Sequence, residues 1–140
     1  VSASANSMTI RGEGSNQTNI QQGLLKHFAT IQGTDTFATI DSFNQSSATD
    51  NGTGDHTSTY TTNMDEARVP RTVYTHNTND EGSGEFKNKL TGGTHSSGRG
   101  ATAPTTSAFR FRVLFGSTGS ADGDDCDLSY VYMMTCGGLS

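Results

Sequence analysis

The amino-acid sequence predicts an all-β fold: a small antiparallel β-sandwich with an extended N-terminal arm. Three observations carry that expectation. First, 55 of the 140 residues are Thr, Ser or Gly. Thr is stiff at its branched Cβ and Gly costs a helix about 1 kcal/mol, so this composition favours hydroxyl-rich strands joined by turns. Second, apolar and polar residues alternate with a period of two in several segments, above all Thr105–Phe115. Third, turn signals punctuate the chain about every 8–12 residues, as in sandwiches.

Along the chain, residues 1–22 are polar and aperiodic, with Gly12 and Gly14 as breakers, and read as the arm; residues 23–140 form the module. Gly23–Ile31 is apolar but short, and periodicity leaves one helical turn and a strand both open. Phe37–Phe43 alternates, with Phe37, Thr39, Asp41 and Phe43 on one face. Asp50–Asp55 follows as the strongest turn signal, because Asn51-Gly52 favours positive φ and Gly54 adds a second free position. With the Thr/Tyr run Thr57–Asn63, it predicts a β-hairpin over Ile40–Asn63.

Val69–His76 is a further strand candidate with Pro70 near its start, and Phe86–Leu90 a short one. Asn77–Glu85 and Thr91–Gly100 read as polar loops. In Thr105–Phe115, Phe109, Phe111, Val113 and Phe115 share a face opposite Arg110, Arg112 and Leu114. In Leu128–Cys136, the shared face is Leu128, Tyr130, Tyr132, Met134 and Cys136. These last two segments are expected to pair with each other, in a sheet system of five to seven strands.

Only 30% of residues are hydrophobic and there is no Trp, so the core is thin and is expected to gain stability from neighbouring subunits. The net charge of −5 disfavours nucleic acid as a partner. No apolar run approaches the roughly 18 residues of a membrane span, and Val1–Ser7 lacks the basic and apolar regions of a secretory signal. Cys126 and Cys136, ten residues apart in an extended segment, are expected to remain thiols.

The candidate chemistry is sparse. Asp122, Asp124, Asp125 and Asp127 crowd one turn and invite comparison with a Ca2+ site, but their spacing is not that of an EF-hand loop, and a solvated acidic turn is the better reading. Gly93–Gly98 has the spacing of a phosphate loop without the Lys and Ser/Thr that should follow. His27, His56, His76 and His95 show no HxH or HxxxH spacing and read as surface or interface residues. No Ser sits in GxSxG and no carboxylate pair is placed across a cleft, so neither an enzyme nor a bound cofactor is expected.

At the hairpin the residues become recognisable. Asp41-Ser42-Phe43-Asn44, Ser46-Ser47, Thr49-Asp50-Asn51-Gly52-Thr53-Gly54-Asp55 and Thr61-Thr62 resemble a recurring segment of bacteriophage tail-fibre and related virion structural proteins. Leu25–Thr30 with Gly33-Thr34 is similar to the lead-in of that segment, and Phe109–Val113 with Asp127-Leu128 and the final strand to its ending. The resemblance spans roughly 24–138 and is most specific at the hairpin. Gln45 and Ala48 stand where the family usually has Val and Ile, His56 replaces an aromatic, and Asn63–Glu66 lacks a Pro.

The resemblance implies a non-enzymatic building block on the virion surface, made in the bacterial host cytoplasm. It would assemble as a homo-oligomer, often a trimer, alongside other virion proteins. Such a chain serves either as a tail appendage that contacts host surface glycans or as a capsid decoration protein that stabilises the shell. A carbohydrate-binding module is the third reading. The polar loops Asn77–Gly84 and Thr91–Gly100 would face the glycan, and Tyr60, Tyr74, Tyr130 and, in the second loop, His95 are the candidate glycan contacts.

Overall fold

A computed structural model describes residues 9–11, 17–19, 24–76, 89–91, 102–115 and 124–140. Its strands are β1 (Thr9–Arg11), β2 (Gln17–Asn19), β3 (Leu25–Gln32), β4 (Ala38–Phe43), β5 (Gln45–Gly52), β6 (Asp55–Tyr60), β7 (Arg71–His76), β8 (Lys89–Thr91), β9 (Ala108–Phe115), β10 (Asp124–Asp125) and β11 (Tyr130–Cys136). No helix occurs among the described residues. Within the arm, β1 and β2 pair antiparallel, with Thr9 opposite Asn19.

The remaining strands form two antiparallel sheets. One has the order β4-β3-β11-β7; the other has the order β10-β9-β6-β5, with β8 also pairing with β9. Their inner faces enclose one core. Ala29, Ile31, Val73, Val131 and Met133 come from the first sheet, and Tyr60, Phe109, Phe111 and Val113 from the second, with Met64 and Leu128 from connecting segments. This is a small β-sandwich, in which the core strands bury one face and leave the other to solvent.

Within the apolar run Gly23–Ile31, the residues from Leu25 onward are strand. β3 alternates strictly, burying His27, Ala29 and Ile31. Its central place between β4 and β11 explains the choice, since a lone helical turn would leave those ladder bonds unmade.

The expected hairpin over Ile40–Asn63 is real but shorter. β5 and β6 pair with Ala48 opposite Ser58 and Asp50 opposite His56. Residues Ala38–Phe43 instead belong to the opposite sheet, where β4 is an edge strand exposed along its length. The chain changes sheets at Asn44, whose φ of 55° lies in the left-handed region that Asn tolerates better than most residues. Its side chain holds the corner: Nδ2 donates to the carbonyls of Lys26 (3.0 Å) and Thr62 (3.1 Å), and Oδ1 accepts from the Thr62 amide at 2.7 Å.

The two C-terminal strands do not pair with each other. β9 lies between β6 and the short β8 and β10, whereas β11 is inserted between β3 and β7 in the other sheet. Both segments are amphipathic, but alternation specifies only that a strand has one buried face. Two such faces can meet across the sandwich as well as lie side by side, and here they meet across it. Within β11 the buried set is Val131, Met133 and Thr135, so Tyr130, Tyr132 and Met134 point outward.

Candidate functional site

The centre of the sandwich is polar. His27 from β3 is fully buried and lies between Tyr60 and Phe109, which meet its ring edge-on at centroid distances of 5.0 and 6.0 Å. Its Nε2 lies 3.2 Å from Ser58 Oγ and its Nδ1 lies 3.4 Å from Thr135 Oγ1. Ser58 Oγ in turn donates to Gln45 Oε1 at 2.9 Å. The consistent proton assignment is Nε2–H donating to Ser58 and Nδ1 accepting from the Thr135 hydroxyl. Strands from both sheets are thereby joined through one neutral imidazole. Burial, as the main cause, pushes the His27 pKa down to about 4, with Arg71 adding to the effect against the Gln45 hydrogen bond.

His56 on β6 is the second buried histidine, stacked on Phe37 at 5.2 Å and 19°. Neither ring nitrogen has a hydrogen-bond partner among the described residues. Asp50 lies 3.7 Å from Nδ1 and Asp127 lies 4.0 Å from Nε2. Burial lowers the pKa of His56, and the nearby Asp50, Asp127 and Asp55 only partly oppose it. Both histidines were expected at the surface or in an interface; the structure places them in the interior of the sandwich, because each occupies an inward position of a core strand.

The hairpin tip shows why its turn residues are needed. Gly52 (φ 132°) donates its amide to Asp50 Oδ1 at 2.9 Å, and the Asn51 side chain donates to Thr57 Oγ1 at 2.9 Å. Gly54 (φ 64°) is buried. Its amide donates to Asp127 Oδ1 at 2.7 Å and its carbonyl accepts from the Val113 amide at 2.7 Å. The tip is therefore docked against β9 and the segment that leads into β11.

Beside it lies a charge network on the outward side of β6 and β9. Asp55 is buried beneath Arg110, whose Nε donates to Oδ1 at 2.6 Å and whose Nη2 donates to Oδ2; Arg112 Nη2 also reaches Oδ2, at 3.0 Å. Burial pushes the Asp55 carboxyl up, but hydrogen bonding and charge from Arg110, with the charge of Arg112, outweigh it and hold the group below the ordinary carboxylate value. Arg112 Nη1 donates to Asp125 Oδ2 at 2.9 Å.

Of the acidic turn, Asp125 and Asp127 are thus engaged by Arg112 and by the Gly54 amide. Asp122 and the Asp124 side chain lie outside the described residues. Among the described residues no group of three or more His, Cys, Asp or Glu could hold a metal ion. Cys126 and Cys136 are both half-buried thiols.

The candidate glycan contacts separate. Tyr60 is only 3% exposed: its ring fills the core and its hydroxyl accepts from Arg71 Nε at 3.0 Å, so it offers no stacking surface. His95, like the loops at 77–88 and 92–100, lies outside the described residues. Tyr74 is 58% exposed on β7 and stands directly opposite Tyr132 of β11, with ring centroids 6.2 Å apart.

Tyr74 belongs to a larger surface. On the outer face of the four-stranded sheet, one register row reads Asp41–Thr30–Tyr132–Tyr74 and the next Phe43–Phe28–Met134–Thr72. Phe28 and Phe43 stack at 6.1 Å and 23°, and Tyr130 lies 6.4 Å from Tyr132. Phe43 and Met134 are each half exposed. Solitary exposed apolar residues are ordinary, but two groups of aromatic rings on one sheet face mark a contact surface. The tyrosines in Leu128–Cys136 were grouped correctly by sequence; their outward direction was the missing information.

Compared with family models, characterised proteins and solved structures, the chain gives no significant match.

Proposed function

We propose that the protein is a non-enzymatic bacteriophage virion structural protein of tail-fibre type, acting as a surface appendage or host-adhesion module. The observation that carries this reading is the aromatic outer face of the β4-β3-β11-β7 sheet. It is a surface suited to contact with something other than water, in a chain whose sandwich core is small and partly polar. The resemblance of the Asp41–Asp55 segment to phage tail-fibre proteins supports the same reading, and in that setting the partners are further copies of the chain, other virion proteins and a host surface glycan.

Image reconstruction of intact particles, with the chain traced in the map, tests the proposal. Ordered copies on the tail are the expected result. Copies arrayed on the head lattice would instead establish a capsid decoration protein, and a dispersed monomer with no ordered place in purified particles would refute both.

A further inference from the structure

Resting on the reading as an adhesion module, we infer that the tyrosine corner of the outer sheet face, Tyr74, Tyr130 and Tyr132, is a binding platform for a neutral oligosaccharide. The three rings form one continuous surface: Tyr132 touches Tyr74 across the strand pair and Tyr130 along its own strand, at 6.2 and 6.4 Å and tilts of 31° and 37°. A tyrosine ring has an electron-rich face, which attracts the weakly polarised C–H groups on the flat side of a sugar ring. The phenol hydroxyl is both a donor and an acceptor, the chemistry that matches the sugar's own hydroxyls. Thr30 and Thr72, in the same and the adjoining register rows, add further hydroxyls beside the rings.

Size and charge select this occupant over others. Four strands at ~4.8 Å spacing and about six residues at ~3.4 Å give a face of roughly 400 Å². A stable protein pair needs about 800 Å² from each partner, so the face is small for a second copy but adequate for a few sugar rings. The charged group in the tyrosine register row is Asp41, and the chain as a whole carries −5, which repels acidic glycans and nucleic acids. Tyrosine in place of Leu or Val also suits a ligand that is itself half polar.

The test uses the full chain on an array of neutral and acidic glycans, followed by calorimetry with the best neutral oligosaccharide. Binding to neutral glycans should change little between 50 and 500 mM NaCl. Tyr74→Ala and Tyr132→Ala should each weaken it at least tenfold while leaving the urea midpoint nearly unchanged, because both rings are exposed. Tyr74→Phe should retain most of the affinity, since the ring face is kept. Thr59→Ala, on the other sheet, should have no effect.

Absence of binding to every neutral glycan, binding that survives the Tyr74→Ala/Tyr132→Ala double variant, or salt-sensitive preference for acidic glycans would each overturn the inference. So would a dimer in sedimentation that these substitutions dissociate, since it would make a second copy the occupant. The virion proposal fails separately, through the position of the chain in the particle.

Discussion

Acidification should destabilise this protein between pH 6.5 and 4, in a window set by its buried histidines and lying above the one in which Asp55 acts. His27 is neutral in the folded chain, and its pKa falls from the ordinary 6.5 to about 4. A histidine whose pKa is depressed by folding binds fewer protons in the native than in the unfolded state. Its contribution is intact above pH 6.5, declines as the pH falls from 6.5 towards 4, and changes no further below. The full difference is roughly 3 kcal/mol, a large share of the stability of a domain this size.

Asp55 acts in the other window: its lowered pKa means that its stabilising effect is lost only below the ordinary 3.8. His56 shifts in the same direction as His27, so the clean experiment is done in a His56→Phe background. Urea unfolding followed by far-UV circular dichroism at pH 7, 6, 5 and 4 should show the midpoint falling by about 2 M, for an m-value near 1.5 kcal/mol/M. Adding His27→Gln removes the titrating group, so the midpoint of that variant should start lower at pH 7 and then change little to pH 4. An unchanged midpoint loss between pH 6.5 and 4 in the His27→Gln variant would refute the reasoning.

Other substitutions probe the remaining features. His56→Phe should raise stability at pH 7 by about 1 kcal/mol in thermal or urea unfolding, because it removes two buried nitrogens that have no hydrogen-bond partner among the described residues and keeps the stack on Phe37. Gly54→Ala should cost roughly 3 kcal/mol. Its φ is positive, and the new Cβ would lie 2.5 Å from Val113 O and 2.7 Å from Cys126 N, both backbone atoms that cannot swing aside. Phe111→Ala should cost about 3–5 kcal/mol by opening a cavity at a 1% exposed site. Asp55→Asn should cost about 2–3 kcal/mol in the same assay, since it removes the carboxylate that Arg110 and Arg112 share and leaves Arg112 with Asp125 alone; both arginines keep some access to water, which moderates the loss.

Much of the fold was legible from local pattern. Strands lie within Val69–His76 and Thr105–Phe115, at Arg71–His76 and Ala108–Phe115, and Phe109, Phe111 and Val113 are buried as their spacing demands. The chain does turn within Asp50–Asp55, but at Thr53-Gly54, while Asn51-Gly52 closes β5. The candidate site was legible only in part. Tyr60 and Tyr74 have equivalent sequence signals, each a tyrosine in a Thr-rich strand. Yet Tyr60 completes the inner row His56, Ser58, Tyr60, while Tyr74 stands one position out of phase with the buried Val73 and Thr75. Nor does local sequence reveal that His27, Gln45, Ser58 and Thr135 meet, for they come from four strands and their association depends on sheet stacking.

By itself the sequence determined the strand-forming character of the chain, the turns, and the division of each strand into an apolar and a polar row. These follow from the Cβ branching of Thr, the φ freedom of Gly and Asn, and side-chain alternation, all of which act over a few residues. Only the tertiary structure decided which sheet each strand joins, that β9 and β11 face each other across the core, and that the Tyr130 and Tyr132 row looks outward. Those outcomes depend on contacts between residues as far apart as His27 and Thr135, which no local preference encodes. An alternating strand is compatible with either sheet until its neighbours bury one of its faces.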